Sequence, residues 1–314
     1  MLFGRDRGSL PPMPLTPTAT RALLDQLGHR PSRQLGQNFL VDGNIVRKSL
    51  ALAEVASGDP IVEIGPGLGS LTEALLAAGA EVWAVELDPR LHAHLAATLV
   101  PAAGGRFHLL YGDAVEHPLA GLPQDGGEAA SAGELSASDA NRLQPSFKIV
   151  ANLPYAISTP WLDAVLAGPL PVCLVLMVQR EAADRLLASP GGKDFGAISV
   201  FLQSAFTPAH GHAVSRRCFF PIPEVDSRLL NLARRPEPFV FRRATKRAIR
   251  AVFQQRRKQI GPLLRRHAPL AAEPWLALLA ADGFAPQSRP EENPSKLWQK
   301  LDAFFPRDLP LPSG

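Results

Sequence analysis

Two cysteines in 314 residues, Cys173 and Cys218, are too few and too far apart for a disulfide framework, and neither belongs to a Cys-x-x-Cys pair of the kind that holds zinc. A reducing compartment is expected, and no metal. Long apolar runs are also missing. Pro171 to Val178 is the longest, well short of the roughly 20 residues a membrane helix needs, and the N-terminus lacks a secretory apolar core. The chain reads as a soluble, cytoplasmic protein. It has no Gly-Lys-Ser/Thr triplet, and so no phosphate-cradling P-loop, and no internal repeat.

Acidic residues nearly vanish from one stretch. Between Arg234 and His267 only Glu237 stands against the Lys and Arg residues, giving that segment +11 in a chain of +4 overall and leaving −7 for the rest. So uneven a distribution points to a polyanion met by one region rather than by the whole surface. At 100° per residue, Arg243, Lys246, Arg247 and Arg250 share an arc of about 100° on a helix, with Ala248, Ile249 and Val252 away from it. One face is expected to pack and the other to be basic, extended by Arg256, Arg257 and Lys258 and by Arg265 and Arg266. A solvated charged face is the commoner meaning of a single basic helix, but the added clusters favour a nucleic-acid surface.

What is abundant is apolar sequence, 46% of the chain and enough for a sizeable core. Residues 1–33 are Pro-rich without a sustained period and are expected to be a mobile extension leading into a short helix from Thr18 to Leu27. From Pro60 short β-branched runs alternate with amphipathic stretches: strands at 61–64, 81–86, 106–111, 147–151, 172–179 and 227–233, helices at 68–78 and 89–99. That rhythm predicts a doubly wound α/β sheet over 34–236. Ala, Gly, Ser, Asp and Glu dominate from about 120 to 146, which reads as a flexible insertion between two strands. Beyond Pro236-Glu237-Pro238 strand signals cease, so 237–314 is expected to be a small, helical, basic C-terminal domain.

The segment Glu63-Ile64-Gly65-Pro66-Gly67-Leu68-Gly69 falls where the first strand should turn into a helix. A glycine-rich turn alone says little. Here Glu86 ends the second strand 21 residues after Gly65, where a carboxylate can accept both hydroxyls of a ribose. The third glycine comes four residues after the first rather than the five of a dinucleotide fingerprint. A ribose-bearing cofactor without phosphate fits, and S-adenosylmethionine is the leading candidate. Asp113, after the third strand, could accept from that cofactor's adenine amine or could simply cap a helix.

Asn152-Leu153-Pro154-Tyr155 follows the apolar run Lys148 to Ala151. An isolated Asn-x-Pro is usually only a turn that closes a strand. In this setting it suits alkylation of an exocyclic amine on a nucleobase. An Asn oxygen can accept one hydrogen of adenine N6 and a backbone carbonyl the other. Pro154 holds Leu153 extended, which aims the Leu153 carbonyl, and Tyr155 offers a face for a base taken out of its stack. Neither cysteine sits in a Pro-Cys context, which argues against a thiol-dependent cytosine methylase.

Taken in chain order, these segments resemble the ribosomal RNA adenine dimethylases of the small-subunit type. Further matches are Leu35-Gly36-Gln37-Asn38-Phe39-Leu40, Phe219 through Ser227, Phe253-Gln254-Gln255-Arg256-Arg257-Lys258 and Arg289-Pro290-Glu291-Glu292, so the likeness runs from about Pro31 to Phe305. The resemblance implies a Rossmann-like methyltransferase sheet with a small all-helical C-terminal domain that helps dock a ribosomal particle. It implies S-adenosylmethionine bound by Asn38, Leu40, Gly65, Glu86, Asp113 and Asn152. It implies Asn152 and the Leu153 carbonyl on the target amine, with Tyr155 and Phe219 stacked on a flipped adenine, and dimethylation of two adjacent adenosines near the 3′ end of 16S rRNA. A monomer acting on a pre-assembled particle is expected. The long insertion, the N-terminal extension and Gln34, at a place often basic in the family, depart from its pattern. Open alternatives are a large-subunit rRNA or DNA N6-adenine methylase, and an assembly factor that acts by binding.

Overall fold

The computed structural model describes residues 15–123, 146–154, 156–209 and 211–305. These form two compact units, one comprising residues up to Ser158 with Pro171–Val178 and Gly211–Asn231, the other Thr159–Leu170, Gln179–His210 and the chain from Leu232. Among the described residues no helix is long and apolar enough to cross a membrane.

The first unit contains α1 (Pro17–Gln26), β1 (Phe39–Leu40), α2 (Gly43–Leu52), β2 (Pro60–Ile64), α3 (Ser70–Ala77), β3 (Glu81–Glu86), α4 (Pro89–Ala102), β4 (Phe107–Tyr111) and β5 (Lys148–Asn152). To it also belong β6 (Cys173–Gln179) up to Val178, and, further along the chain, the short strands β8 (His212–Val214) and β9 (Phe219–Phe220) and the first part of β10 (Ser227–Arg234). The sheet order is β4-β3-β2-β5-β6-β10, parallel from β4 through β6. β2, β3, β5 and β6 are near-continuous apolar runs because both faces of a parallel sheet are covered. Ile61, Val82, Val150 and Val175 are buried with Val46, Leu50, Leu75 and Leu95 of the covering helices, each such side chain contributing about 2 kcal/mol on leaving water. Every strand expected from alternation is present, shifted at its ends by at most one residue.

Order along the sheet reverses at β2, whose neighbours are β3 on one side and β5 on the other. Loops leaving the carboxyl ends of β2 and β5 therefore diverge, and a crevice opens between them. α4 starts where it does because Asp88 accepts from the Arg90 and Leu91 amides and Pro89 supplies a first turn with fixed φ.

The short helix expected from Thr18 to Leu27 is present as α1, and it is docked. Thr20, Leu24 and His29 are buried, and Leu24 packs with Phe39, Leu68 and Leu91. Leu23 and Leu27 pack against the same cluster. The extension before Leu15 and the insertion core at 124–145 lie outside the described residues.

The second unit holds α5 (Ser158–Val165) from Thr159, α6 (Arg180–Leu187), α7 (Ala197–Ala205), β7 (Phe206–Pro208), α8 (Arg243–Phe253), α9 (Ile260–His267), α10 (Pro269–Ala281) and α11 (Ser295–Leu301). Its core includes Trp275 stacked on Trp298 with ring centroids 5.2 Å apart, and Phe253 beside both Trp298 and Phe195. Helices do dominate after Pro236. The compact unit is larger than that segment, because α7 packs on the helices beyond it: Phe201 lies against Phe241 and beneath Lys246 and Arg250. It also keeps one strand pairing, β7 antiparallel to the end of β10.

Candidate active site

The carboxyl ends of β2, β3, β4 and β5 each bring one expected residue to the same cavity, Glu86 and Asn152 as the last residues of their strands and Gly65 and Asp113 from the loops just beyond theirs. Asn38 and Leu40 line it from β1 and the turn before it, and Leu153 and Pro154 close the far side. Counted with its open mouth, the cavity holds about 1090 Å³ of empty space.

The glycine loop is a close-fitting cradle. Gly65 and Gly67 both have φ of +63°, and a Cβ on either would stand 3.3 Å from the Pro154 ring or 3.2 Å from the Phe39 ring. Gly69, at φ +84°, lets the start of α3 approach α4 so closely that a Cβ would sit 2.7 Å from Leu99. Gly65 and Gly67 line the cavity, while Gly69 lies off it and serves the packing of α3 on α4.

Glu86 is buried, and each carboxylate oxygen already holds one backbone amide: Gly67 N–H donates at 3.0 Å and Asp88 N–H at 2.9 Å. Those bonds fix the plane of the carboxylate, and each oxygen keeps a lone pair for a hydroxyl. Burial raises its pKa despite them. Asp113 Oδ1 accepts from the Val115 amide at 2.8 Å, turning the chain, and the residue lines the cavity.

Asn152 ends β5. Its Nδ2 donates to the Asn38 carbonyl at 3.2 Å, so the side-chain oxygen is the atom left for an incoming donor. Leu153 is held by its own amide, which donates to the Met177 carbonyl at 3.1 Å. Tyr155 lies outside the described residues. Phe219 does not line the cavity as a stacking surface would. β9 pairs antiparallel with β1, Phe219 opposite Leu40, and the ring is buried in the core, 2% exposed. Its neighbour Phe220 is half-buried, with the Arg21 guanidinium 5.3 Å above it.

Among the cavity residues with no role assigned from the sequence are Glu63 and Gln37. Glu63 is fully buried at the end of β2, and Thr72 Oγ1 donates to its Oε2 at 2.7 Å. Burial, helped by the nearby Glu86 charge, raises its pKa to about 8. An acidic residue two places before Gly65 was the visible signal. Both thiols are pushed up to about 11 by burial, so neither is a nucleophile near neutral pH.

The basic segment divides in a way a helical wheel does not show. Lys246, expected on the exposed arc of α8, is 4% exposed. It is ion-paired with Asp163 Oδ1 at 3.1 Å and donates to the Asp163 and Leu166 carbonyls at 3.1 and 3.2 Å. Arg250 pairs with the same carboxylate, and Arg256 reaches Glu291 at 3.8 Å. Lys246 serves the unit's interior, while Arg250 and Arg256 are ion-paired and half-buried. Arg243, Arg247, Arg257 and Lys258 are exposed, as are Arg265, paired with Glu273, and Arg266.

Residues 28–277 match the model of the ribosomal RNA adenine dimethylase family. A small-subunit ribosomal RNA methyltransferase A of Opitutus terrae is 64% identical over 289 residues, covering 92% of this chain and 98% of its own. The protein of the same name from Moorella thermoacetica is 46% identical over 254 residues, 78% of this chain and 82% of its own. In fold, the chain is similar to a dimethyladenosine transferase from Plasmodium falciparum, with a TM-score of 0.64 at 23% identity over 84% of this chain and 95% of that one. A cradle that excludes side chains, a ribose-suited carboxylate and an oriented amide all fit S-adenosylmethionine, and the chain belongs to the ribosomal RNA adenine dimethylase family, whose methyl donor that is.

Proposed function

We propose that this protein adds two methyl groups to N6 of each of two adjacent adenosines in a loop near the 3′ end of 16S rRNA, during small-subunit biogenesis. It works in the cytoplasm, as a monomer, on a pre-assembled particle. The substrate reading is supported by relatives named for the small subunit and matched over most of their length. That support outweighs the large-subunit and DNA alternatives.

The observation that carries the chemistry is the bond from Asn152 Nδ2 to the Asn38 carbonyl. An amide can accept from an amine only through its oxygen, and this bond commits the nitrogen elsewhere. In this reading Asn152 Oδ1 accepts one N6 hydrogen and the Leu153 carbonyl the other, which turns the nitrogen lone pair toward the cofactor. S-adenosylmethionine, when bound, supplies a methyl already activated by a sulfonium. Positioning is then the protein's main task. Glu86 takes the ribose hydroxyls, Asp113 the adenine amine, and Asn38, Leu40 and Gly65 the remainder of the donor. Tyr155 carries the base on its face, while Phe219 supports Leu40 from the core.

For docking, the exposed group Arg243, Arg247, Arg257 and Lys258 is assigned to the RNA backbone, and Lys246 and Arg250 are withdrawn from it. Incubation with methyl-labelled S-adenosylmethionine and small subunits lacking dimethyladenosine, beside large subunits, naked RNA and duplex DNA, tests the whole reading. Labelled N6,N6-dimethyladenosine from small subunits is expected. Label confined to another substrate, or binding without label, overturns it.

A further inference from the structure

The motif that supplies Asn38 and Leu40 also contains Gln37, to which no part of the proposed chemistry gives work. Its side chain nonetheless makes three polar contacts. Oε1 accepts from the Ser32 amide at 2.7 Å and from His29 Nε2 at 3.0 Å, and Nε2 donates to Asp88 Oδ2 at 3.0 Å. The orientation of this amide is forced by its neighbours: a backbone N–H on one side can only donate, and a carboxylate on the other can only accept. A carboxylate in its place would lack the donor that Asp88 needs. A lysine would lack the acceptor that Ser32 needs.

Asp88 continues the chain of contacts. Its Oδ1 accepts from the Arg90 amide at 3.0 Å, and its own amide donates to Glu86 Oε1 at 2.9 Å. On the other side of Gln37 the next residue is Asn38, whose carbonyl takes Asn152 Nδ2. Residues 37 and 38 thus tie the end of β3 to the end of β5 across the sheet's point of reversal. His29, 8% exposed, braces the arrangement with Nδ1 at 3.7 Å from Asp88 Oδ2, and Arg90 donates to the Gly28 carbonyl.

We infer that Gln37 is a positioning residue for the methyl donor: through Asp88 it sets Glu86, and through the backbone it sets Asn38, so that the cavity is spaced for the cofactor before the cofactor arrives. This rests on the cavity being the S-adenosylmethionine site. A preorganised site binds more tightly because the ordering has already been done in the free protein. Once donor is bound its own contacts hold the segment, so the transfer step itself depends little on Gln37.

The test compares wild type with Gln37→Ala, Gln37→Glu and the pair Gln37→Glu with Asp88→Asn, the last of which restores a donor opposite the new acceptor. Binding of S-adenosylmethionine and of its demethylated product is measured by calorimetry, and exchange of the backbone amides of 38–40 is followed in the ligand-free protein. Expected results are about tenfold weaker binding for Gln37→Ala, weaker still for Gln37→Glu, and recovery to within about threefold in the pair. Amides 38–40 should exchange faster in Gln37→Ala, and kcat at saturating donor should stay within about threefold of wild type. Unchanged affinity, unchanged exchange, or a fall in kcat with KM constant would each overturn the inference. If Gln37→Ala fails to fold, the contrast between Gln37→Glu and its paired rescue decides alone. Wild-type protein that binds no S-adenosylmethionine would instead remove the reading of the cavity on which this rests.

Discussion

Asn152 Nδ2 lies 3.2 Å from the carbonyl oxygen of Asn38, a residue 114 positions earlier in the chain. The bond orients the one amide that the proposed chemistry uses. Asn152→Ala should lower kcat by about 10² to 10³, the range seen when a single transition-state hydrogen bond is removed, with the melting temperature nearly unchanged. Asn152→Asp is the sharper variant, since it keeps an acceptor but sets a carboxylate against the Asn38 carbonyl. It should lose most activity too, measured as labelled dimethyladenosine. Either variant with near-normal turnover would sink the amide's role.

Lys246 and Arg247 are neighbours in sequence and opposites in structure. Lys246→Ala should destabilise the protein by about 3 kcal/mol, because it leaves two carbonyls without their donor and the Asp163 carboxylate with Arg250 as its one remaining cation. That is read by denaturant titration. Charge reversal of Arg247, Arg257 and Lys258 should leave stability within about 0.5 kcal/mol. It should also weaken RNA-particle binding and flatten its dependence on log salt by about one unit per lost phosphate contact. The reverse pattern would mean that the exposed set is not the docking surface.

Glu63 gives a pH signature. Its folded pKa of about 8 is above the ordinary 4.5, so the folded state binds the proton more tightly than the unfolded chain does. Stability from this group is fully present below pH 4.5, falls as pH rises, and is lost by about pH 8, on the order of 3 kcal/mol of it by neutrality. Glu63→Gln can keep the Thr72 bond and has no charge to bury. Melting curves from pH 5 to 9 should show the variant gaining on wild type steadily up to about pH 8 and then running parallel. Parallel curves throughout would mean Glu63 titrates normally.

Gly67→Ala combines a strained backbone with a contact 3.2 Å from the Phe39 ring. The left-handed conformation alone costs an ordinary residue about 1 to 2 kcal/mol. Weaker S-adenosylmethionine binding by tenfold or more is expected. A larger loss of stability than of affinity would show that the loop serves the fold and not the cofactor.

The parallel strands were legible because burial on both faces writes itself as continuous apolar sequence, and the shared cavity of Gly65, Glu86, Asp113 and Asn152 because each falls at or just beyond the carboxyl end of a strand. β1 and β9 were not, since two-residue strands carry no period. Lys246 was misplaced because its arc on α8 says nothing of Asp163, 83 residues away. Gln37 went unassigned for the same reason: Asp88, which gives it meaning, is 51 residues on. Phe219 was read for its aromatic face, whereas its pairing opposite Leu40 decides where that face goes.

That pairing bears on how the protein is made. β9 follows β1 by some 180 residues, so Phe39 and Leu40 have no strand partner until the ribosome has released Phe219 and Phe220. A nascent chain ending after Asn152 already contains the glycine loop, Glu86, Asp113 and the amide, yet it lacks the ribbon that fixes Asn38 and Leu40. The loop to be closed is long and its entropy must be met late, so this ribbon can close only after the chain has been made through Phe220, with the whole of the first sheet's parallel strands already synthesised.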